Sequence, residues 1–212
     1  MNRSLTRTTA WMGLATPVLQ FTGQGFIQVG GAEPPFSAPA ADIADFFARR
    51  DPYLFALGSY LSVLSVLTLL WFVGGLCATF KEDGRAPIAL ACGIVYAAGL
   101  SPGWEIAAFR APEGLDPEQA RFAFDIGNLA FANSWVALAG FCVAMGITLL
   151  ASPSFPRWLG WWAIASGTML VAARAVWTTP FWFSGYALFW LWVLVLCVRL
   201  LRAPDVRQIQ PA

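Results

Sequence analysis

The chain has 212 residues, 58% of them hydrophobic and 12% charged, with a mean hydropathy of +0.62 and a formal net charge of +1. Soluble domains carry about 25% charged residues, so this composition belongs to a single integral membrane domain, and the charge balance gives no reason to expect nucleic acid as a partner. No histidine is present, which excludes His-held haem, His-containing zinc sites and Ser-His-Asp triads; no cofactor and no metal is expected.

A non-barrel chain that crosses a bilayer does so as helices, each needing about 20 apolar residues. The expected fold is therefore all-α: a polytopic transmembrane bundle of six spans. The first covers about 9–29, after Arg3 and Arg7; Pro17, Gln20, Gln24 and Gln28 interrupt it, and no small-x-small cleavage site marks it as a signal peptide. Next, the stretch from Ser37 to Arg50 reads as a short amphipathic helix over about 38–49. Ile43, Phe46 and Phe47 share one face, Asp42, Asp45, Arg49 and Arg50 supply charge, Ser37 is the expected cap and Pro39 falls in the first turn. That helix is expected to lie on the outer membrane surface.

The second span covers about 54–80, and Lys81-Glu82-Asp83-Gly84-Arg85 turns the chain into the third, about 86–109. Ser101-Pro102-Gly103-Trp104-Glu105 interrupts this third span. Pro102 lacks an amide donor and frees the Ala98 carbonyl, so either the helix breaks beside Glu105 within the membrane, or it ends at Leu100 and leaves Glu105 wet at the interface. Asp116-Pro117-Glu118 is a helix-start signature, predicting a helix that runs unbroken into the fourth span, about 122–151. The fifth span covers about 158–177 and the sixth about 181–201, with Thr178-Thr179-Pro180 between them.

The basic residues set the orientation. With the N-terminus inside, the inner side carries Arg3, Arg7, Lys81, Arg85, Arg157, Arg199, Arg202 and Arg207, against Arg49, Arg50, Arg110 and Arg121 outside. Both termini are then cytoplasmic. Cys77, Cys92, Cys142 and Cys197 all fall in apolar stretches without a CxxC pair and read as small packing residues. Ala89, Gly93, Ala97 and Ser101 form a small-residue stripe suited to close helix contact. Trp104, Trp177 and Trp182 read as an outer aromatic belt, and Trp11, Trp158, Trp161 and Trp162 as an inner one.

Polar residues inside spans need an explanation, because lipid does not solvate them. Thr16, Gln20, Gln24 and Gln28 recur every four residues and trace a stripe on the first span, either interhelical hydrogen-bond glue or a ligand-facing lining. Arg174 is the one cation well inside an apolar segment; Glu105 and Asp125 are its expected partners at the same depth, with snorkelling to the headgroups as the alternative. Asp125 and Asn128 share a helix face. The candidate ligand-binding set is thus Gln20, Gln24, Gln28, Glu105, Asp125, Asn128 and Arg174, all but Gln20 in the outer third, with Tyr60 and Tyr186 close in depth. The cytoplasmic halves are almost wholly apolar, which speaks for an outward pocket and against a transport path. No catalytic residue is assigned: Ser184 has no His or intramembrane Lys to activate it.

The segment Ala40 to Leu76, AADIADFFARRDPYLFALGSYLSVLSVLTLLWFVGGL, and the run Ser154-Phe155-Pro156-Arg157-Trp158-Leu159-Gly160-Trp161 resemble a family of uncharacterised six-helix integral membrane proteins common in high-GC actinobacteria. The resemblance implies the six-helix topology and a bacterial plasma membrane, and brings no reaction or catalytic residue with it.

Three functions fit these residues. The first is binding of a lipid or other amphipathic small molecule in a pocket open to the outer leaflet, and it is the favoured one. The second is an intramembrane enzyme acting on an isoprenoid or lipid, with Glu105 or Asp125 as a general acid kept protonated by a dry pocket. The third is an accessory subunit whose polar outer face docks a protein partner.

Overall fold

The computed structural model describes residues 3–99 and 102–202; Leu100, Ser101 and Arg207, which enter the reading above, lie outside them. The described residues form α1 (Arg3–Ile27), α2 (Ala40–Ala48), α3 (Pro52–Thr79), α4 (Ala86–Ala98), α5 (Gly103–Arg110), a 3-10 turn (Ala111–Glu113), α6 (Pro117–Ala151), α7 (Arg157–Ala175) and α8 (Trp182–Arg202).

Local chemistry sets several of these boundaries. Asp51 Oδ1 accepts the amides of Tyr53 and Leu54, both at 2.9 Å, and Pro52 occupies the first turn of α3. Asp116 does the same for α6, accepting from Glu118 at 2.9 Å and Gln119 at 3.3 Å ahead of Pro117. The expected Asp-Pro-Glu start is therefore present, and α6 runs unbroken for 35 residues, about 52 Å. The interruption near Pro102 is present too: α4 stops at Ala98 and α5 starts at Gly103.

Six segments close a ring in which each packs against the next: α1–α3–α4–α6–α7–α8 and back to α1. Neighbours run in opposite directions. Thr16 meets Thr68 while Gly23 meets Gly58 between α1 and α3; Gly146 meets Gly160 while Gly167 meets Ala139 between α6 and α7. The cap end holds α2, α5, the start of α6 and the end of α7. At the opposite, basic end lie residues 81–85, residues 152–157 and the last turn of α8. Phe72, Leu76, Trp135, Phe141, Phe189 and Trp192 fill the interior, while Val63, Trp71, Ile94, Val136, Val171 and Leu191 face outward and exposed. An apolar surface around a packed apolar core is what lipid solvation requires. Among the described residues, four segments, Pro52–Thr79, Ala86–Glu113, Pro117–Ala151 and Trp182–Arg202, are long and apolar enough to cross a membrane.

Two expectations about α2 are corrected. Helix α2 does not lay its apolar face on the membrane surface: Ile43, Phe46 and Phe47 are buried against α5 and α6, where they cluster with Ala107, Ala120 and Phe124. Trp104 sits 5.6 and 6.0 Å from the Phe46 and Phe47 rings, so an aromatic seat on the protein itself takes the face that lipid was expected to take. Nor does Ser37 cap the helix; Pro39 occupies that position without a side-chain bond.

Candidate ligand-binding site

The cap end is built by the chain between α1 and α3, which folds back over α5 and α6. Gly30 and Gly31, at φ +102° and +142°, turn it out of α1. Arg50 then fastens the turn, donating to the carbonyls of Val29 at 2.9 Å and Gly31 at 2.8 Å while its guanidinium lies 3.8 Å over the Phe46 ring. Burial and the neighbouring Arg49 charge pull its pKa below the ordinary guanidinium value, and Glu33 opposes them. Further on, Phe36 reaches Trp177 at 4.5 Å and Phe124 at 6.4 Å. Arg121 donates to the Ala38 carbonyl at 2.7 Å, so α6 holds this segment directly.

Glu33 is exposed as a whole residue, but its carboxyl turns inward to a hydrogen bond with Asn128 on α6. Burial of the carboxyl raises its pKa to about 7, above the ordinary carboxylate range, and the Asn128 hydrogen bond and the Arg50 charge only partly oppose that rise.

The seven predicted residues do not converge on one site. Gln20 accepts from the Ser65 hydroxyl of α3 at 2.7 Å, and Thr16 meets Thr68 at 3.0 Å, so this part of the stripe ties α1 to α3. Gln24 is half-buried and Gln28 is exposed. Asp125 takes the Arg121 Nε at 2.9 Å, and Asn128 takes Glu33. Arg174 donates to Asn133 Oδ1 at 2.8 Å and lies 5.9 Å from the Trp177 ring; it pairs with neither Glu105 nor Asp125. Glu105 is exposed on α5. Tyr186 is buried, hydrogen-bonded to Tyr96 of α4, whereas Tyr60 faces outward at 61% exposure. Of the two carboxyls read as candidate general acids, Asp125 sits in an ion pair with Arg121 and Glu105 is exposed.

Sequence reasoning passed over Glu33, Arg50, Arg121 and Asn133 as functional or cap-forming residues. The spacing of Arg121 four residues before Asp125 was a readable signal. Nothing local connects Glu33 to Asn128 or Arg50 to Val29, because those contacts are made by the folding of distant segments.

A groove opens on the other side of α5, between that helix, the 3-10 turn and the first turns of α6. It has a volume of about 770 Å³ and walls that include Ile106, Phe122 and Ile126. Its rim carries Arg110, Glu113 and Glu118, with Arg110 and Glu113 paired at 2.8 Å. Gly114, at φ +85°, makes the tight turn that leads from the 3-10 segment towards α6. The arrangement is apolar below and charged above, able to hold a molecule with one polar end.

Comparison with protein-family models, with curated proteins and with solved structures finds no match to this chain.

Proposed function

We propose that this chain is a six-span protein of a bacterial plasma membrane with both termini cytoplasmic, and that it binds a lipid or other amphipathic small molecule from the outer leaflet in the groove between α5 and α6. The observation that carries the reading is the groove itself: about 770 Å³, within the roughly 300–1,000 Å³ typical of small-molecule sites, apolar in its walls and charged along its rim. An acyl or isoprenoid tail would lie along Ile106, Phe122 and Ile126, and a polar head would meet Arg110, Glu113 and Glu118. Gln20 and Arg174 serve the bundle in this reading, because their hydrogen-bond partners, Ser65 and Asn133, lie on neighbouring helices.

Ring closure supports six spans. Helices α1 and α7, of 25 and 19 residues, are less apolar than the other four segments, yet each stands in the ring between two of them and exposes apolar residues such as Val18, Phe21, Trp161 and Val171.

Mass spectrometry of molecules that co-purify in mild detergent tests the ligand. Wild type is expected to carry a defined amphipathic species, Ile106→Trp with Ile126→Trp to lose most of it by filling the groove, and Arg174→Ala to keep it. Bulk lipid alone in all three folded proteins would overturn the reading.

A further inference from the structure

At the basic end, a second groove runs between the loop after α6, the start of α7 and the last turns of α8. It has a volume of about 650 Å³ and is lined by Ser154, Phe155, Trp158, Leu194, Val195 and Val198 together with Arg199 and Arg202. Leu194, Val195 and Val198 form an apolar wall along α8, and Arg199 and Arg202 follow it one turn apart at the helix end, about 12 Å from Leu194 to Arg202. No acidic side chain lines the groove, and among the described residues neither arginine forms an ion pair. Arg199 instead lies 5.9 Å from the ring of Trp158, a half-exposed indole at the groove's edge. The start of α7 borders the same groove with no side-chain cap, leaving the partial positive charge of its first amides unanswered.

We propose that this groove is a binding site for an anionic glycerophospholipid, with the phosphate between Arg199 and Arg202 and an acyl chain along Leu194, Val195 and Val198. The charge pattern selects the occupant: two arginines with no ion pair among the described residues attract a phosphate, and the apolar wall running from them along α8 suits a tail that a soluble phosphate lacks. Trp158 sits where aromatic residues anchor at the headgroup level. The site is at the opposite end of the molecule from the α5–α6 groove and does not rest on what that groove binds.

Native mass spectrometry of the full chain from detergent micelles doped with equal phosphatidylglycerol and phosphatidylcholine tests this without reference to membrane orientation. Wild type is expected to retain phosphatidylglycerol in preference to phosphatidylcholine. Arg199→Gln with Arg202→Gln should weaken that retention roughly tenfold or more, since each basic residue near a lipid surface contributes appreciably. Lys81→Gln with Arg85→Gln removes the same net charge from cations already beside Glu82 and Asp83, and should leave retention unchanged. Val198→Trp, which narrows the groove at an exposed position and keeps the charge, should also lower it. Equal loss in both charge variants, no lipid preference in wild type, full retention in Val198→Trp, or displacement by millimolar glycerol 3-phosphate would each overturn the proposal.

Discussion

Glu33 is the side chain whose behaviour depends most on where the fold puts it. In an extended chain it is an ordinary carboxyl; packed against Asn128 it binds its proton up to about pH 7. The folded state therefore holds the proton more tightly than the unfolded state. Its contribution to stability is complete below the unfolded value of 4.5 and is lost as pH rises through about 7. Attraction to Arg50 works in the other direction but is the smaller effect. In mild detergent, the melting temperature of wild type should fall between pH 5 and pH 8 by more than that of Glu33→Gln, and the two should converge at the acid end. Melts at pH 5, 6.5 and 8 read this directly, and parallel curves for the two proteins would show that the carboxyl is not held as described. Arg50 will not share this dependence, because it stays charged throughout the range.

Helix α3 carries a sharper contrast at two adjacent positions. A Cβ added at Gly75 would strike the Thr9 side chain of α1, whereas one added at Gly74 meets nothing within 4 Å. Gly75→Ala should cost about 1–3 kcal/mol through overpacking. Gly74→Ala should be neutral or stabilise by about 0.5–1 kcal/mol, since alanine loses less backbone freedom in a helix. Thermal melts of the two variants side by side check this, and equal effects would contradict the close α1–α3 approach. The same distinction between local and distant determinants explains what the sequence made legible. The start of α6 was readable because Asp116, Pro117 and Glu118 act within one turn, and the break before Gly103 because Pro102 acts on its own helix. The amphipathic face of α2 was readable as a face, but not its partner: Trp104 and Phe124 come from elsewhere in the chain and present an aromatic surface that competes with lipid. The candidate site suffered similarly. Equal depth put Glu105, Asp125 and Arg174 at one level, but depth says nothing of azimuth around a ring, and Asn133 and Arg121 lay closer to hand.

The molecule as a whole is a closed ring whose members alternate in direction, and this alternation makes the span count testable. The crossing of α7 is the informative case, since α7 is not among the four strongly apolar segments yet joins two of them, α6 and α8. If α7 crosses, the Thr178 loop emerges on the same side as Ser37, opposite Ser154; if it does not, Thr178 stays with Ser154. Helix α1 poses the same question for Ser4, which should share a side with Ser154. Ser4, Ser37, Ser154 and Thr178 are exposed, so single cysteines there should react without disturbing the core. The native thiols, of which Cys77, Cys142 and Cys197 are buried, can be replaced by alanine to clear the background. With a membrane-impermeant maleimide on intact cells, Ser37→Cys and Thr178→Cys should label at once, and Ser4→Cys and Ser154→Cys only after permeabilisation. Labelling of Thr178→Cys together with Ser154→Cys would remove the fifth crossing, and labelling of Ser4→Cys together with Ser37→Cys would remove the first. Either result would be hard to reconcile with the ring, because a helix that stays on one side of a bilayer cannot lie antiparallel along its full length between two that cross it.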